Sequence, residues 1–230
     1  RIDNCPSLAA RVKQKLGIKN PNSVAYDILF GCPGWLQGVI QGNYYIKSGD
    51  AKKVLVIGGE VLSRISDPHD RDSLIYADGA GACILEARES DTPVGILGQN
   101  SRSDALEFAQ MLSMGVSFKP EEAETGKLYL KMNGRRLYMY ALANVPKTIK
   151  AGLDKLGIPI EDIKKILIHQ ANGKMDDAIL ERLYSLYGYK DTPKDVMPMT
   201  ISWLGNSSVA TLPTLFDLVV REEVTPHQID

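Results

Sequence analysis

The chain has 230 residues, of which 44% are hydrophobic and 24% are charged, as is typical of a globular protein. Its 27 basic and 28 acidic residues give a net charge of −1, so no basic excess favours binding to nucleic acid or to an anionic membrane. No apolar run is long enough to span a bilayer, and residues 1–20 show no signal-peptide pattern. The three cysteines have no framework spacing, which predicts a reducing, cytoplasmic location. CxxC and HExxH motifs are absent, so no metal site is predicted.

The first elements alternate between helix and strand. Residues 7–16 have a helical pattern with Ser7 as a candidate N-cap, and Gly17 follows as a C-terminal stop. The apolar run over residues 24–30 predicts a buried strand.

Cys32 follows this predicted strand directly, and Pro33 begins a helix that runs to about Lys47. The positive end of the helix dipole should therefore favour the Cys32 thiolate. Gly34, Gly38 and Gly42 recur every four residues and therefore line one face of this helix. Glycine lowers helix propensity, so such a face requires a partner that packs very closely against it. A thiol above such a face indicates a nucleophile, and the alternative is a small buried hydrophobe.

The next stretch predicts two more strands. Residues 53–58 form a continuous apolar run, which is typical of a sheet that is covered on both faces. A charged loop follows at 67–72, then a turn of small residues at 78–81 and a buried strand at 80–86. The alternation of strand, helix and strand predicts an α/β fold with parallel strands.

The second half of the chain is mainly helical. Residues 91–126 predict loops and a hairpin, and residues 133–153 have a helical period. Residues 166–169 predict a second apolar strand that runs into a polar residue and a helix. A further helix is predicted over 209–220, and residues 225–230 resemble a turn.

Three polar residues occupy similar places in this pattern. Cys32 and His169 each follow a predicted strand and precede a helix, and Asn206 precedes a helix after a short extended run. In open α/β sheets such corners converge on one cleft. A thiolate can attack a carbonyl there, while imidazole and carboxamide groups donate to the developing negative oxygen. Taken alone, His169 could be a satisfied core histidine and Asn206 a helix cap.

Two families combine Cys, His and Asn in this chemistry. The papain-like proteases have these residues in the same chain order, but their local signature around the cysteine is absent and the parallel-sheet pattern argues against them. The thiolase-like condensing enzymes fit far better. The Cys32 corner resembles their nucleophile site, and His169-Gln-Ala-Asn172 and Gly205-Asn206-Ser-Ser resemble the His and Asn motifs of β-ketoacyl-acyl carrier protein synthase III. Residues 56–63, 70–71 and 78–81 resemble the same family.

The chain departs from the family pattern in three ways. Pro33 stands where the family usually has a small residue, and Lys174 stands where it commonly has arginine. Both ends are also short against the family, because its first strands and helices and its last two strands have no counterpart here. The resemblance therefore implies either that the chain is a fragment or that the terminal parts of the protein are not represented in this sequence.

The resemblance implies a thiolase-like fold that is truncated at both termini. This fold has two related halves, with mixed or parallel sheets sandwiched by helices in α-β-α-β-α layers. Residues 1–230 would form one domain: an incomplete N-terminal half at 1–90 with the Cys nucleophile, an irregular connection at 91–126, and an incomplete C-terminal half at 127–230 with His and Asn.

The resemblance also implies a mechanism. Cys32 would take an acyl group from acyl-coenzyme A, and malonyl-acyl carrier protein would then bind. His169 and Asn206 would donate to its thioester oxygen as carbon dioxide leaves, and the carbanion would attack the Cys32 thioester. No metal or redox cofactor is needed, and coenzyme A thioester and malonyl-acyl carrier protein are the substrates.

Binding residues and partners are likewise implied by the resemblance. Arg71, Tyr76, Asn172 and Lys174 would lie at the entrance for coenzyme A and the carrier protein, and the chain would form a homodimer. A type III polyketide synthase-like acyltransferase and a non-catalytic heterodimer partner remain alternatives. A hydroxymethylglutaryl-coenzyme A synthase would require a catalytic Glu.

Overall fold

The computed structural model describes residues 5–222 and 224. Both helices and strands are present, so the predicted α/β class is confirmed. The α-helices of this part of the chain are, in order, α1 (Leu8–Lys15), α2 (Gly34–Ser48), α3 (Ala105–Phe108), α4 (Pro120–Ala123), α5 (Gly134–Leu156), α6 (Gly173–Ser185), α7 (Ile201–Leu204) and α8 (Thr211–Val220). The strands are β1 (Lys53–Val61), β2 (Asp78–Glu86), β3 (Leu112–Gly115) and β4 (Tyr129–Met132). Short 3₁₀ turns occupy Leu62–Arg64, Arg71–Ile75, Ile160–Asp162 and Ser208–Ala210.

Helix α1 begins where the sequence predicts. The Ser7 hydroxyl accepts a hydrogen bond from Ala10 N at 3.1 Å. The Asp27 carboxylate accepts two more, from Leu8 N at 2.9 Å and Ala9 N at 2.8 Å. These bonds satisfy the free N–H groups of the first turn, and they tie α1 to the segment that precedes Cys32.

The strand predicted over residues 24–30 does not form, and this prediction is wrong. Leu29 is fully exposed and Val24 is 80% exposed. An apolar run becomes a strand only when a neighbouring strand supplies the ladder hydrogen bonds. Within the described residues β1 and β2 pair only with each other.

The strands β1 and β2 form an antiparallel pair in which Lys53 lies opposite Glu86 and Val61 opposite Asp78. The parallel arrangement predicted for them is therefore not found. The connection between them contains only two 3₁₀ turns, whereas parallel neighbours need a longer crossover, usually a helix. The predicted turn at 78–81 is also wrong, because these residues already belong to β2.

Helix α2 packs its glycine face against this pair of strands. A Cβ added at Gly38 would lie 2.8 Å from a methyl group of Val56, and one at Gly42 would lie 2.9 Å from a methyl group of Leu85. The close partner that the glycines require is thus the apolar face of β1 and β2. The helix ends at Gly49, whose φ of 84° is left-handed, within one residue of the predicted end.

The opposite face of β1 and β2 is open, although the sequence predicts a sheet that is covered on both sides. Leu55, Ile57 and Ile84 are exposed, and they alternate with the inward residues that face α2. This alternation is that of a sheet with one packed face.

The segment 91–126, predicted to be irregular, contains α3, β3 and α4, and β3 pairs antiparallel with β4. Asp67 ties this hairpin to the charged loop at 67–72. Its fully buried carboxylate accepts from Lys131 Nζ at 2.6 Å, from Phe118 N at 2.9 Å and from the Ser117 hydroxyl at 3.0 Å. Burial opposes the charge, yet these donors hold the pKa of Asp67 well below its ordinary value.

Helices α5 and α6 form the main apolar core of the second half. Ala141 and Leu142 of α5 pack with Met175 and Ile179 of α6, and a second buried cluster lies around Leu183. Helix α5 begins at the Asn133 cap and ends at Gly157, close to the predicted bounds.

The strand predicted over residues 166–169 does not form either, and this prediction is also wrong. Ile166 and Ile168 are partly buried against the clusters, so the apolar character of the run is used for packing. A hydrogen bond from Ile166 N to Val196 O at 2.7 Å joins this segment to the chain before α7. A single bond of this kind does not make a ladder.

The end of the described chain is helical. Residues 208–210 form a 3₁₀ turn that leads into α8, as the sequence predicts for 209–220. The turn predicted over 225–230 lies outside the described residues. Across the residues that the structure describes, no helix combines the length and the apolar character that crossing a bilayer requires.

Candidate active site

Cys32 lies in the turn before α2, half-buried, and its Sγ is 3.5 Å from the hydroxyl oxygen of Ser208. The turn is closed by a hydrogen bond from Gly34 N to Gly31 O at 2.8 Å. The added Cβ of Gly34 would lie 3.2 Å from a methyl group of Val209, so the start of α2 packs directly on the Ser208 segment. A contact between residues 176 positions apart in the sequence therefore joins the Cys32 turn to the Asn206 motif.

The Cys32 thiol is less acidic than the sequence predicts. Burial raises its pKa, the Ser208 hydroxyl and the Cys32 backbone N–H lower it, and the negative charge of Glu60 raises it again. Loss of hydration on burial outweighs the nearby donors, so the net direction is opposite to the one that the helix dipole predicts.

Asn206 is held by two backbone hydrogen bonds to a segment beside β2. Asn206 N donates to Ile75 O at 2.7 Å, and Ala77 N donates to Asn206 O at 2.9 Å. These bonds form an isolated parallel bridge between Tyr76 and Asn206. Gly205 allows this approach, because its φ of 67° is left-handed and a Cβ there would lie 2.9 Å from Ile75 O.

The side-chain amide oxygen of Asn206 makes a hydrogen bond within its own segment. It accepts a hydrogen bond from Ser208 N at 2.9 Å, and the residue is only 8% exposed. Since a backbone N–H can only donate, the amide oxygen must face Ser208, and the Asn206 NH₂ remains as the donor. Asn206 is not a helix cap, because Ser207 is the N-cap residue of the 3₁₀ turn that follows and Ala210 that of α8; the bond to Ser208 occupies the side-chain oxygen and leaves the nitrogen as a donor.

His169 has a buried ring nitrogen with no partner. Its Nδ1 is inaccessible and makes no hydrogen bond among the described residues, although the whole side chain is only half-buried. Burial lowers the pKa of His169 to about 4, so the imidazole is neutral at physiological pH. A core histidine satisfied by the protein would have both nitrogens paired, and no described residue pairs with Nδ1.

The contacts of the described residues connect Cys32, Ser208, Asn206 and Tyr76, and none of these hydrogen bonds reaches the His169 side chain. His169 is linked indirectly. The neighbouring Gln170 accepts a hydrogen bond from Thr200 N at 2.9 Å, and Thr200 precedes the helix that leads to Gly205 and Asn206. Gln170 and Ser208 were not predicted as site residues, although both lie within the motifs that point to His169 and Asn206.

Tyr76 is half-buried, and its backbone pairs with that of Asn206 in the parallel bridge. Burial, followed by the charges of Asp72, Asp70 and Cys32, raises the pKa of Tyr76 to about 12. The phenol therefore stays protonated at physiological pH.

Arg71 is exposed at the start of a 3₁₀ turn that Asp70 caps through Asp72 N at 3.1 Å. The internal pair that Arg71 could make with Asp70 is replaced by a pair between Asp70 and Lys131 at 3.2 Å. Over residues 5–222 and 224, no ion pair includes Arg71. Its guanidinium is thus available to a ligand.

Asn172 and Lys174 lie at the start of α6, and both are exposed. The Asn172 side chain accepts from Met175 N at 3.3 Å, so it caps the helix. This contact gives Asn172 a structural role at the start of α6, and its binding role stays a prediction. Lys174 lies in the first turn with its charge in solvent, as a docking residue requires.

Two clefts on the described surface lie away from these residues. One of about 400 Å³ is beside Met111, Lys131 and Asn133, and one of about 550 Å³ is beside Ile160 and Tyr189. Neither is lined by Cys32, His169 or Asn206. In the same described part of the chain, no group of three or more His, Cys, Asp or Glu residues is arranged to hold a metal ion.

Comparison with known proteins gives a consistent result. A model of the 3-oxoacyl-(acyl-carrier-protein) synthase III family matches residues 26–105, and a model of the C-terminal part of the same family matches residues 153–228. The β-ketoacyl-(acyl-carrier-protein) synthase III of Microcystis aeruginosa is 34% identical over 223 residues, which cover 93% of this chain and 63% of that protein. The chain thus spans less than two thirds of the length of this relative.

Solved structures agree with this match. The 3-oxoacyl-(acyl-carrier-protein) synthase III of Aquifex aeolicus VF5 superposes with a TM-score of 0.80 at 28% identity, covering 97% of this chain and 66% of that one. The priming β-ketosynthase of the R1128 polyketide pathway superposes with a TM-score of 0.81 at 25% identity, covering 98% and 65%. The predicted thiolase-like fold is therefore confirmed.

Proposed function

The chain belongs to the 3-oxoacyl-(acyl-carrier-protein) synthase III family, and from this membership we propose that the whole protein is an acyltransferase that condenses an acyl-coenzyme A primer with malonyl-acyl carrier protein. Cys32 is the proposed nucleophile, and His169 and Asn206 are the proposed donors to the malonyl thioester oxygen. The observation that carries the proposal is the junction at which Cys32 meets the Asn206 segment through Ser208.

In the proposed first half-reaction the Cys32 thiolate attacks the carbonyl carbon of the acyl-coenzyme A thioester. The carbon–sulfur bond to coenzyme A breaks, a new thioester forms on Cys32, and the departing coenzyme A thiolate takes up a proton from solvent. The backbone N–H of Cys32 is the proposed donor to the oxyanion of the intermediate.

In the second half-reaction malonyl-acyl carrier protein loses carbon dioxide, and the electron pair of the broken carbon–carbon bond forms an enolate. His169, neutral because burial lowers its pKa, donates through its one N–H, and Asn206 donates through its NH₂. The enolate carbon then attacks the Cys32 thioester, which releases the β-ketoacyl product and regenerates the thiolate. The scheme uses these side chains and the Cys32 backbone N–H, and it includes no metal or redox cofactor.

Partners and location follow from the same proposal. Acyl-coenzyme A and acyl carrier protein bind at an entrance formed by Arg71, Tyr76 and Lys174, and the active species is a homodimer. The three cysteines Cys5, Cys32 and Cys83 are free thiols, which fits a reducing cytoplasm.

The proposed domain organisation keeps an N-terminal half at 1–90, a connection at 91–126 and a C-terminal half at 127–230. It is supported by two separate family models, of which one matches residues 26–105, reaching into the connection, and the other matches residues 153–228.

A second candidate is the priming of polyketide synthesis. It is favoured by the likeness to the R1128 priming β-ketosynthase, which is as similar in fold as the synthase from Aquifex aeolicus. Both candidates share the Cys32 acylation step and differ in the primer and in the pathway that uses the product.

The test is mass spectrometry of the full-length protein after incubation with a panel of acyl-coenzyme A thioesters. We expect one acyl group on Cys32 and none on Cys5 or Cys83, and no acylation of the Cys32→Ala variant. Equal labelling of Cys83 would contradict the assignment of the nucleophile. If no thioester acylates the wild-type protein, the enzyme proposal fails and the interpretation as a non-catalytic heterodimer partner is favoured.

A further inference from the structure

Ser208 contacts both the proposed nucleophile and the proposed amide donor. Its hydroxyl oxygen lies 3.5 Å from Cys32 Sγ, and its backbone N–H donates to the Asn206 amide oxygen at 2.9 Å. The side chain is 7% exposed, so bulk water does not compete strongly for either contact. The Ser208 hydroxyl thus contacts the proposed nucleophile of the first half-reaction, and the Ser208 backbone N–H contacts the proposed amide donor of the second.

The backbone of Ser208 is strained. Its φ is 53°, in the left-handed region that residues other than glycine, asparagine and aspartate seldom adopt. Such conformations occur mainly where the surrounding structure enforces them, often at functional sites. A glycine would adopt this φ without a penalty but would provide no hydroxyl group.

The hydroxyl opposes the effect of burial on the thiol. Burial raises the pKa of Cys32, and Ser208 is the only side chain whose hydrogen bond to the sulfur lowers it among the described residues. A hydrogen bond to a charged group is stronger than one to a neutral group, so the Ser208 O–H stabilises the thiolate more than the thiol. The nucleophilic form of Cys32 therefore depends on this donor.

We propose that Ser208 is a positioning residue for the reaction. Its hydroxyl donates to the Cys32 thiolate, and its backbone N–H fixes the Asn206 amide with the NH₂ turned toward the substrate. The inference rests on the proposed function for the role of Asn206, whereas the effect on the thiol can be measured without any catalysis. In this scheme the hydroxyl serves acylation, and the backbone N–H serves decarboxylation.

The test compares Ser208→Ala with Ser208→Gly in the full-length protein. Both variants remove the hydroxyl and keep the backbone N–H, but alanine retains the backbone strain and glycine relieves it. The control is Ser207→Ala, because Ser207 is also buried and its hydroxyl lies 3.4 Å from that of Thr211.

The readout is the rate of Cys32 alkylation by iodoacetamide as a function of pH, followed by peptide mass spectrometry. We expect both Ser208 variants to shift the midpoint of this profile to higher pH, with roughly tenfold slower alkylation at pH 7. The Ser207→Ala profile should match the wild type. A midpoint that is unchanged in either Ser208 variant, or shifted in only one of them, would overturn the proposal, since the hydroxyl is absent from both.

A second readout separates this inference from the proposed function. Acylation of Cys32 by acyl-coenzyme A at pH 7 should slow in both Ser208 variants by about the same factor as alkylation, because both reactions need the thiolate. A wild-type protein that no acyl-coenzyme A acylates would refute the proposed function alone, and the alkylation profiles would still decide the role of the Ser208 hydroxyl.

Discussion

Gln170 and Thr200 are joined by a hydrogen bond from the Thr200 backbone N–H to the Gln170 amide oxygen at 2.9 Å, and both residues are almost fully buried. Gln170 also donates to Ile168 O at 3.2 Å. The bond connects the residue after His169 to the start of the short helix before Asn206. It links the two motifs that carry the proposed donors, together with the contact of the Gln170 NH₂ with Met199 Sδ at 3.6 Å.

The first prediction concerns this link. Gln170→Leu retains bulk but leaves a buried N–H at Thr200 without an acceptor, which costs about 1–3 kcal/mol. We therefore expect a lower melting temperature and a lower rate of malonyl decarboxylation, because the Asn206 segment shifts. Gln14→Ala on the exposed face of α1 is the control and should change neither. A wild-type melting temperature for Gln170→Leu would contradict the structural role of the bond.

The second prediction concerns Asp176, whose carboxylate is fully buried on α6 with both oxygens unpaired among the described residues. Burial raises the pKa of Asp176 to about 8 from the ordinary value of 3.8. Between these two values the folded protein holds a proton that the unfolded chain releases. The free energy of unfolding should therefore fall as pH rises from about 4 to 8.

Urea denaturation of wild type and Asp176→Asn at pH 5, 6.5 and 8 tests this. Asparagine cannot ionise, so the variant should lose this part of the pH dependence and become more stable than the wild type at pH 8, by several kcal/mol at most. The control is Glu181→Gln, which removes an exposed acidic charge elsewhere on α6 and should keep the pH dependence of the wild type. Parallel pH profiles for wild type and Asp176→Asn would show that the carboxyl titrates normally.

The accuracy of the sequence predictions depends on how local each feature is. The helices begin and end near the predicted residues because capping depends only on residues within one turn of the helix end. Ser7 and Asn133 cap helix starts, and Gly49 and Gly157 cap helix ends. The strands predicted over 24–30 and 166–169 fail because a ladder depends on partners elsewhere in the chain, which the apolar pattern does not specify.

The candidate site shows the same difference between features set by local sequence and features set by distant residues. Cys32, His169 and Asn206 could be proposed from their motifs alone, because each motif is a short local sequence, and their catalytic roles stay predictions. The acidity of Cys32 could not be predicted, since it depends on burial and on a hydroxyl 176 positions away. The contacts of Ser208 and the availability of Arg71 also depend on which distant residues pack beside them.

The third prediction separates the two half-reactions. His169→Ala and Asn206→Ala should retain acylation of Cys32 but lose malonyl decarboxylation, since their donors act on the malonyl oxygen. One oxyanion donor is worth about 3 kcal/mol, so each variant should lose two to three decades in rate. The measurement is release of labelled carbon dioxide from malonyl-acyl carrier protein, beside mass spectrometry of acyl-Cys32.

The control for these variants is His69→Ala, which removes an exposed imidazole paired with Glu122 at 2.9 Å. It should decarboxylate as the wild type does. If either His169→Ala or Asn206→Ala decarboxylated normally with Cys32 intact, the assignment of the malonyl-oxygen donors would be wrong.

The last prediction concerns Lys174, which is exposed in the first turn of α6, five residues after His169. Coenzyme A and the phosphopantetheine arm carry phosphate, and carrier proteins are acidic. A chain with a net charge of −1 must therefore concentrate positive charge locally to attract them. Lys174→Glu should leave the melting temperature almost unchanged, because single exposed charges contribute little to stability.

The same variant should use malonyl-acyl carrier protein several-fold less well at low salt, and the difference should shrink at high salt, where the charge of the wild type is screened as well. Lys52→Glu is the matched control, since Lys52 is exposed just before β1 and away from α6. Equal steady-state rates for Lys174→Glu and wild type at low salt would remove Lys174 from the docking surface. A loss of equal size in Lys52→Glu would show that the effect follows the net charge of the protein, because a specific docking surface would respond only at Lys174.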